Sequence, residues 1–309
     1  MRPRVILVTG IAALVGAVAL SVPTARSALA SLGAHSKVVA AFTDPTPTEA
    51  TAQVVGQGAP PAPTLRLPAN PAAIKPPAGA SFFGWAMLDR ASGKVVGSAN
   101  SGTGTNTTES MVKAWITSDY LRRLAEAGKT PDQATLDELT LMIIDSNDVL
   151  AQKYYVLGGQ DAVIKRLISM CGLTHTKVFP YWWSKTQMTP QDAVRYGNCL
   201  ANGTAAGPKW TTWVLETMRH VRGGADDRDQ VSVEKQGGRW GVIDGLPPAL
   251  AAQVSIKNGW TSWGDGWHIN CLAVEQDWVL NVMVRIGTLQ AGANACKSVA
   301  QQLVYVPQY

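Results

Sequence analysis

The sequence has few histidines and carries little net charge. Its four histidines show no metal-ligand spacing, so we expect neither a metal site nor a cofactor. Residues 1–30 contain no acid but contribute Arg2, Arg4 and Arg26 to the net charge of +5, so the remainder carries about +2. A nearly neutral chain lacks the basic surface that binds phosphate backbones. The composition therefore gives no electrostatic case for a nucleic-acid partner.

The N-terminus has the pattern of an export signal. Arg2 and Arg4 precede an apolar run over residues 5–22, and Ala28-Leu-Ala30 matches a signal-peptidase cleavage site. We predict a signal peptide over residues 1–30 and a secreted, extracytoplasmic location in the cell envelope. The run is long enough to span a bilayer, so an uncleaved membrane anchor is the alternative. No cysteine follows it closely, which argues against lipid attachment.

Cysteine is scarce, but its count is even. The four cysteines can pair in an oxidising, exported location, or they can be buried free thiols. Closeness in sequence and the architecture described below favour Cys171 with Cys199 and Cys271 with Cys296.

The next segment lacks large apolar side chains. Residues 31–80 are rich in Ala, Pro and Thr, and they cannot bury enough surface to offset the entropy of ordering. We predict a flexible linker there. Periodic apolar patterns begin near Phe82, so residues 81–309 are predicted to form one folded domain, which we expect to be monomeric.

Strand patterns stand at both ends of this domain, and helical patterns fill its middle. Residues 83–88 and 93–96 predict an opening hairpin, and residues 252–257, 267–274 and 278–286 predict three strands before a closing helix over 291–304. Between them lie about five helices, one of them with the apparent capping box Thr135-Leu-Asp-Glu138 and another starting at Thr189-Pro190. We predict an α+β fold, an antiparallel sheet built from both ends of the domain and flanked by a helical lobe.

Three short motifs occur in order on this frame. Ser110-Met-Val-Lys113 lies at a helix start, where the positive end of the helix dipole favours negative charge. Ser146-Asn-Asp148 lies between two helices, and Lys257-Asn-Gly-Trp260 ends an apolar strand. Alone, each has an ordinary explanation, respectively a capping serine with a solvated lysine, a helix-to-helix turn and a strand end. A second S-x-x-K, Ser232-Val-Glu-Lys235, lies in a glycine-rich loop and is discounted.

Together these motifs resemble those of the penicillin-recognising serine enzymes, above all class A β-lactamases. The resemblance covers residues 82–309 and includes the hairpin, the Thr-Pro helix start and the final hairpin and helix. Trp240-Gly241 and Trp267-His-Ile-Asn270 add a similarity to exported serine hydrolases of actinobacteria.

The resemblance implies roles for individual residues. Ser110 would be the acylated nucleophile and Lys113 its proton partner. Ser146 would pass a proton to the leaving group, and Lys257 would hold a substrate carboxylate. The backbone N–H groups of Ser110 and Trp260 would form the oxyanion hole. Further substrate contacts are expected from Asp148, Asn258, Gly259 and Trp260.

The sequence also departs from this family. Residues 173–188 contain no acid, whereas class A β-lactamases carry there the glutamate that activates the deacylating water. Asp148 replaces an asparagine and would repel an anionic substrate unless it is protonated or paired with Lys113 or Lys257. Asn258 replaces a hydroxyl residue, and the short gap from Ser110 to Ser146 indicates a trimmed helical lobe. We therefore expect poor β-lactam turnover.

Aromatic and polar residues crowd the predicted site. The aromatic residues either form a wall for an apolar or sugar group or pack beneath their loop as support; they are Tyr181, Trp182, Trp183, Trp260, Trp263 and Trp267. Asp265 and His268 can contact substrate or make structural hydrogen bonds. The leading hypothesis is an exported serine acyl-transfer hydrolase acting on a small-molecule or peptide substrate, including one derived from peptidoglycan. The alternatives are a non-catalytic binding or regulatory protein and a true class A-like β-lactamase with another water activator.

Overall fold

A computed structural model describes residues 62–226 and 238–307. The strands of these residues are β1 (Thr64–Leu65), β2 (Phe82–Asp89), β3 (Val95–Gly97), β4 (Asn106–Thr107), β5 (Gln187–Met188), β6 (Ser255–Trp263), β7 (Gly266–Val274), β8 (Trp278–Ile286) and β9 (Val304–Tyr305). The helices are α1 (Lys113–Glu126), α2 (Gln133–Ile144), α3 (Asp148–Leu157), α4 (Asp161–Met170), α5 (Pro190–Ala201), α6 (Thr211–Arg219), α7 (Pro248–Ala251) and α8 (Leu289–Leu303). Short 3-10 helices cover Pro71–Ala73, Glu109–Val112, Trp183–Lys185 and Gly241–Gly245.

The predicted antiparallel sheet is present and draws its strands from both ends of the domain. Its order is β3-β2-β8-β7-β6, so the opening hairpin pairs with the closing strands through β2 and β8. The strands are rich in β-branched and aromatic residues, and most of their side chains are buried. The α+β prediction is confirmed.

Helices cover both faces of this sheet. On β7, Ile269 contacts Gly292 of α8, whereas Leu272 contacts Gly197 of α5. Because side chains alternate along a strand, these two contacts lie on opposite faces. The helical lobe of α1 to α4 and α6 packs on the α5 side, and the three motifs meet between this lobe and β6.

Both predicted disulfides are confirmed. Cys171, directly after α4, bonds to Cys199 of α5, and Cys271 of β7 bonds to Cys296 of α8. The second bond attaches the last helix to the central part of the sheet.

The folded domain begins before the predicted boundary at residue 81. β1 pairs with β9, and the side chains of Leu65 and Ile74 are buried against the domain. Composition suggested a linker because large apolar residues are few here, but two such side chains and a short strand suffice to attach the segment. The predicted signal peptide and the remainder of the predicted linker lie outside the described residues.

Two local predictions were also wrong. Helix α2 begins at Gln133 with Asp132 as its cap, since the Asp132 carboxylate accepts from Thr135 N; the apparent capping box at Thr135 is therefore inside the helix. Strand β6 continues through Trp263 because its hairpin with β7 is longer than the apolar pattern suggested, so the lysine motif lies in mid-strand.

The Thr189 cap of α5 is present as predicted. No helix within the described residues is long and apolar enough to cross a bilayer. The N-terminal apolar run and the discounted Ser232–Lys235 motif both lie outside those residues.

Candidate active site

The Ser146 hydroxyl lies between two buried lysine amines. Lys257 Nζ is 2.9 Å from Ser146 Oγ, and Lys113 Nζ is 3.2 Å from the same oxygen. Lys113 also donates to the Ser146 carbonyl. Lys113 and Ser146 are 33 residues apart in sequence, and Ser146 and Lys257 are 111 residues apart, yet the three side chains meet at this hydroxyl. The fold thus brings together Lys113, Ser146 and Lys257, whose catalytic roles remain predictions.

The α2–α3 junction places Ser146 there. Ser146 adopts a left-handed backbone with φ of 56°, which is costly for a residue with a side chain. Asn147 caps α3, since its Oδ1 accepts from Leu150 N at 3.0 Å. The motif is therefore a helix-to-helix turn, as the simpler explanation had it, and this same turn aims the serine at the lysines.

Ser110 lies one turn before α1, in the 3-10 helix, rather than within the α-helix. It is partly exposed and lines two adjoining cavities. Among the described residues, none makes a hydrogen bond with the Ser110 hydroxyl. The Ser110 hydroxyl, which the sequence predicts to be the nucleophile, is therefore open to an entering group.

Gly259 allows β6 to contact the backbone that carries Ser110. A Cβ at this position would lie 2.4 Å from Thr108 O, 2.6 Å from Met111 N and 2.9 Å from Ser110 N. We expected this glycine to contact the substrate. The space that a side chain would occupy is instead filled by the protein's own backbone, so Gly259 lets β6 pack against the segment that carries Ser110.

Asn258 does not face the cavities. Its Nδ2 donates to Gly238 O and Trp240 O, both at 2.8 Å, and the residue is buried. The reason is strand alternation: Lys257 turns toward Ser146, and Asn258 therefore turns to the opposite face of β6. The expected substrate contact of Asn258 is wrong, and its side chain holds the 238–240 segment.

Trp260 lies on the same face of β6 as Asn258. Its ring packs edge-to-face on Trp240, with centroids 5.4 Å apart. The residue nevertheless lines both cavities beside Ser110. This location is compatible with the oxyanion role expected for its backbone N–H, which remains a prediction.

Burial controls the charge of the two lysines. Burial lowers the pKa of Lys113 to about 8, although the neighbouring Asp148 carboxylate raises it. Burial, and then the charge of Lys113, holds the pKa of Lys257 well below its usual range. Both amines therefore lose protons more easily than in water, and with a pKa of about 8 part of the Lys113 amine is neutral near neutral pH and can accept a proton.

Asp148 is the carboxylate that partners Lys113. Its Oδ1 lies 2.5 Å from Lys113 Nζ, while its side chain remains 72% exposed. We expected an acid at this position to repel an anionic substrate unless it was paired with a lysine, and Asp148 is paired with Lys113. The exposed remainder of the carboxylate still presents negative charge to the cavity.

Sequence reasoning missed Glu109, the buried acid before Ser110. Glu109 Oε1 accepts from Thr107 Oγ1 at 2.5 Å and from Trp263 Nε1 at 2.9 Å, and Oε2 accepts from Thr261 Oγ1 at 2.7 Å. Its backbone is also left-handed, with φ of 48°. From the sequence alone, an acid before a helix start is expected to be solvated. Glu109 is instead buried, because Thr107, Thr261 and Trp263 donate hydrogen bonds to its carboxylate.

A hydrogen-bond chain extends from Glu109 to the β6–β7 turn. Thr107 Oγ1 lies 2.8 Å from His268 Nδ1, and His268 Nε2 lies 2.9 Å from Asp265 Oδ1. This placement favours the structural explanation for Asp265 and His268, since neither lines the cavities beside Ser110.

Aromatic residues form one side of the larger cavity, which measures about 520 Å³. Tyr181 and Trp182 are exposed at its rim, whereas Trp183 is buried and donates to Gln152 Oε1 at 3.1 Å. Trp263 supports the loop through an edge contact with Trp182, and Trp267 lines the smaller cavity of about 260 Å³. The aromatic cluster therefore does both things: part of it forms a wall, and part supports the loop.

The described residues contain no group of His, Cys, Asp or Glu arranged to hold a metal ion. The site brings together the hydroxyls of Ser110 and Ser146, two amines of lowered pKa and the carboxylates of Glu109 and Asp148.

Comparison with solved structures shows a β-lactamase-like fold. PBP-A superposes with a TM-score of 0.56 at 14% identity, covering 74% of this chain and 91% of its own. A β-lactamase from Xanthomonas campestris pv. campestris gives 0.54 at 15% identity, covering 72% and 90%. A PBP-A variant described as an acyl-enzyme complex with penicillin G gives 0.54 at 15% identity, covering 71% and 88%. At these identities the likeness concerns the fold alone.

Comparison of the sequence with family models and with curated proteins gives similarity over part of the chain. No protein-family model matches the chain. Proteins named "Putative lipoprotein LppW" in Mycobacterium tuberculosis and Mycobacterium bovis are 28% identical over 187 residues, covering 59% of this chain and 55% of their own length. The chain thus spans about half the length of these curated relatives.

Proposed function

We propose that this chain is an exported serine acyl-transfer hydrolase that forms an acyl-enzyme on Ser110. The observation that carries the proposal is the convergence of Lys113 and Lys257 on Ser146 Oγ, beside cavities that Ser110 lines. Buried amines of lowered pKa are costly to maintain, and they cluster where proton transfer is needed. The β-lactamase-like fold is consistent with this chemistry.

Acylation would proceed through these groups. A neutral Lys113 amine takes the Ser110 proton, directly or through Ser146, and Ser110 Oγ attacks the substrate carbonyl. The backbone N–H groups of Ser110 and Trp260 stabilise the resulting oxyanion. Ser146, held between the two amines, passes a proton to the leaving group as the carbonyl–leaving-group bond breaks. The product of this half-reaction is an ester on Ser110.

Deacylation would be slow with β-lactams. Residues 173–188 contain no acid that could activate water. Of the carboxylates that line the larger cavity, Glu109 already accepts from three donors, which leaves little capacity to hold a water, and Asp148 is paired with Lys113. This saturation weighs against a true class A-like β-lactamase. A small-molecule or peptide acyl donor of the cell envelope is the expected substrate.

Export is supported by the N-terminal signal pattern, by two disulfides and by the lipoprotein name of the mycobacterial relatives. The similarity of the Trp240-Gly241 and Trp267–Asn270 segments to actinobacterial exported hydrolases is part of the same proposal. We expect a monomer with no nucleic-acid partner.

One observation favours a non-catalytic binding protein instead. The Asp148 carboxylate, 2.5 Å from Lys113, favours the protonated form of the lysine, which cannot act as a base. In such a protein the cavities would bind a ligand without acylation of Ser110.

The test is to incubate the purified protein with a fluorescent penicillin and follow its intact mass, with Ser110→Ala as the control. An adduct that persists in the wild type and is absent from the variant supports the proposal. If a panel of penicillins, esters and fluorophosphonates gives no adduct with the folded protein, the binding-protein alternative is favoured.

A further inference from the structure

The larger cavity beside Ser110 presents negative charge and aromatic faces to an entering ligand. Eleven of the described residues line it, and the only charged side chains among these eleven are Glu109 and Asp148. No lysine, arginine or histidine is among these residues. Asp148 is paired with the buried Lys113 amine, but its own side chain is 72% exposed, so the negative end of this ion pair faces the cavity.

The two motif lysines are hidden from this cavity. Lys113 and Lys257 are fully buried, and neither lines either of the cavities beside Ser110. Lys257 Nζ is occupied by Ser146 Oγ at 2.9 Å and Asn258 O at 3.0 Å. A substrate carboxylate therefore meets no exposed cation among the residues that line the cavities, and it approaches the carboxylate of Asp148.

An ammonium group of the protein itself, that of Lys185, lies against one side of the aromatic wall. Lys185 Nζ lies 4.0 Å from the ring centroid of Trp182 and 4.4 Å from that of Trp263. Tryptophan faces attract cations because the ring quadrupole is negative there. Lys185 itself does not line the cavity, whereas Trp182 does.

The rim of the cavity is apolar. Val149 is 78% exposed and Tyr181 is 75% exposed, and both line it together with Trp182. Its volume of about 520 Å³ lies within the range of small-molecule sites. A ligand that fits this surface combines an apolar chain with a positive charge.

We propose that this cavity selects acyl donors that carry an ammonium or guanidinium group on an apolar acyl chain, rather than the anionic acyl donors that a surface lysine would select. The inference rests on the proposed function, because it names the substrate class of the same site.

The test compares three p-nitrophenyl esters of similar length that differ in the charge at the far end of the acyl chain. The esters are those of 6-aminohexanoate, heptanoate and pimelate, which are cationic, neutral and anionic. We expect kcat/KM for the cationic ester to exceed that for the anionic ester by about tenfold at low salt, and the ratio to fall as salt is added.

Asp148→Asn should reduce this cation-to-anion ratio severalfold, whereas Asp137→Asn, an equal charge change at an exposed site on α2, should preserve it. The ratio is the readout because an altered Lys113 pKa changes the rates for all three esters together. Melting temperatures check that both variants are folded.

The two possible failures can be separated. Equal rates for the three esters, or a faster anionic ester, would overturn the inference and leave the hydrolase proposal standing. Rates no higher than those of Ser110→Ala with every ester would count against the hydrolase proposal itself. In that case, tryptophan fluorescence of the wild type can still test the charge preference of the cavity, by comparing the binding of benzyltrimethylammonium with that of the anion benzenesulfonate. If benzyltrimethylammonium bound no more tightly than benzenesulfonate, the charge preference would be overturned.

Discussion

Lys113 and Asp148 form an ion pair in which only the carboxylate meets solvent. Nζ lies 2.5 Å from Oδ1, the lysine side chain is fully buried, and the aspartate side chain is 72% exposed. Burial removes water from the protonated lysine, and the charge of Asp148 compensates for this loss only in part. The pKa of Lys113 is therefore lowered to about 8. In the proposed mechanism, this balance determines how much neutral Lys113 amine is present to activate Ser110.

Replacing Asp148 by Asn should increase the reactivity of Ser110 near neutral pH. Loss of the anion destabilises the protonated amine, so the pKa of Lys113 falls below about 8 and the rising limb of the pH profile moves to lower pH. The measurement is the rate of Ser110 modification by a neutral fluorophosphonate between pH 6 and 10. Asp137→Asn serves as the control, and an unchanged profile in Asp148→Asn would show that Lys113 is not the base.

Replacing Lys113 by Met should abolish acylation and stabilise the fold at pH 7. The pKa is lower in the folded state than the usual 10.5, so the unfolded chain binds more protons between about pH 8 and 10.5. Wild-type stability should therefore rise with pH across that window, and the variant should lack this slope. Urea unfolding at pH 7 should show a gain of about 1–3 kcal/mol, and at pH 10.5 a smaller one. A loss of stability at pH 7 would contradict this account.

Replacing Glu109 by Gln should loosen the segment that carries Ser110. The carboxylate accepts from Thr107, Thr261 and Trp263, and an amide must turn its NH₂ group toward at least one of these donors. We expect a loss of about 1–3 kcal/mol in unfolding free energy and slower acylation of Ser110.

Glu126→Gln, an exposed change at the end of α1, is the matched control for Glu109→Gln and should change stability by less than about 0.5 kcal/mol. If Glu109→Gln retained wild-type stability but lost only deacylation, Glu109 would be a base toward water rather than a positioning residue.

The sheet, most of the helices and both disulfides could be predicted from the sequence because their signals are local. Apolar residues that recur with strand or helix periodicity indicate which side chains are buried. The pair Thr189-Pro190 directly indicates a helix start. The attachment of residues 62–80 was missed because it depends on pairing with β9, more than 200 residues later. Local composition carries no information about such a partner.

Sequence motifs identified the residues that meet at the site. They did not show on which face of a strand each side chain lies. Lys257 and Asn258 are neighbours in one motif, yet alternation along β6 sends only the lysine to Ser146. Glu109 was missed because its three donors come from β4 and from the end of β6, which meet only in the folded chain.

Replacing Gly259 by Ala should disrupt the contact between β6 and the nucleophile segment. A Cβ there would lie 2.4 Å from Thr108 O and 2.6 Å from Met111 N, distances that require the backbone to move. Since backbone cannot yield as a flexible side chain does, we expect a loss of about 3 kcal/mol in stability and at least a tenfold slower acylation of Ser110. Gly264→Ala, in the β6–β7 turn, is the matched control because a Cβ there meets nothing within 4 Å. Intact-mass measurement of fluorophosphonate labelling, with urea unfolding of both variants, would separate the effects; equal behaviour of the two variants would show that β6 does not set the position of Ser110.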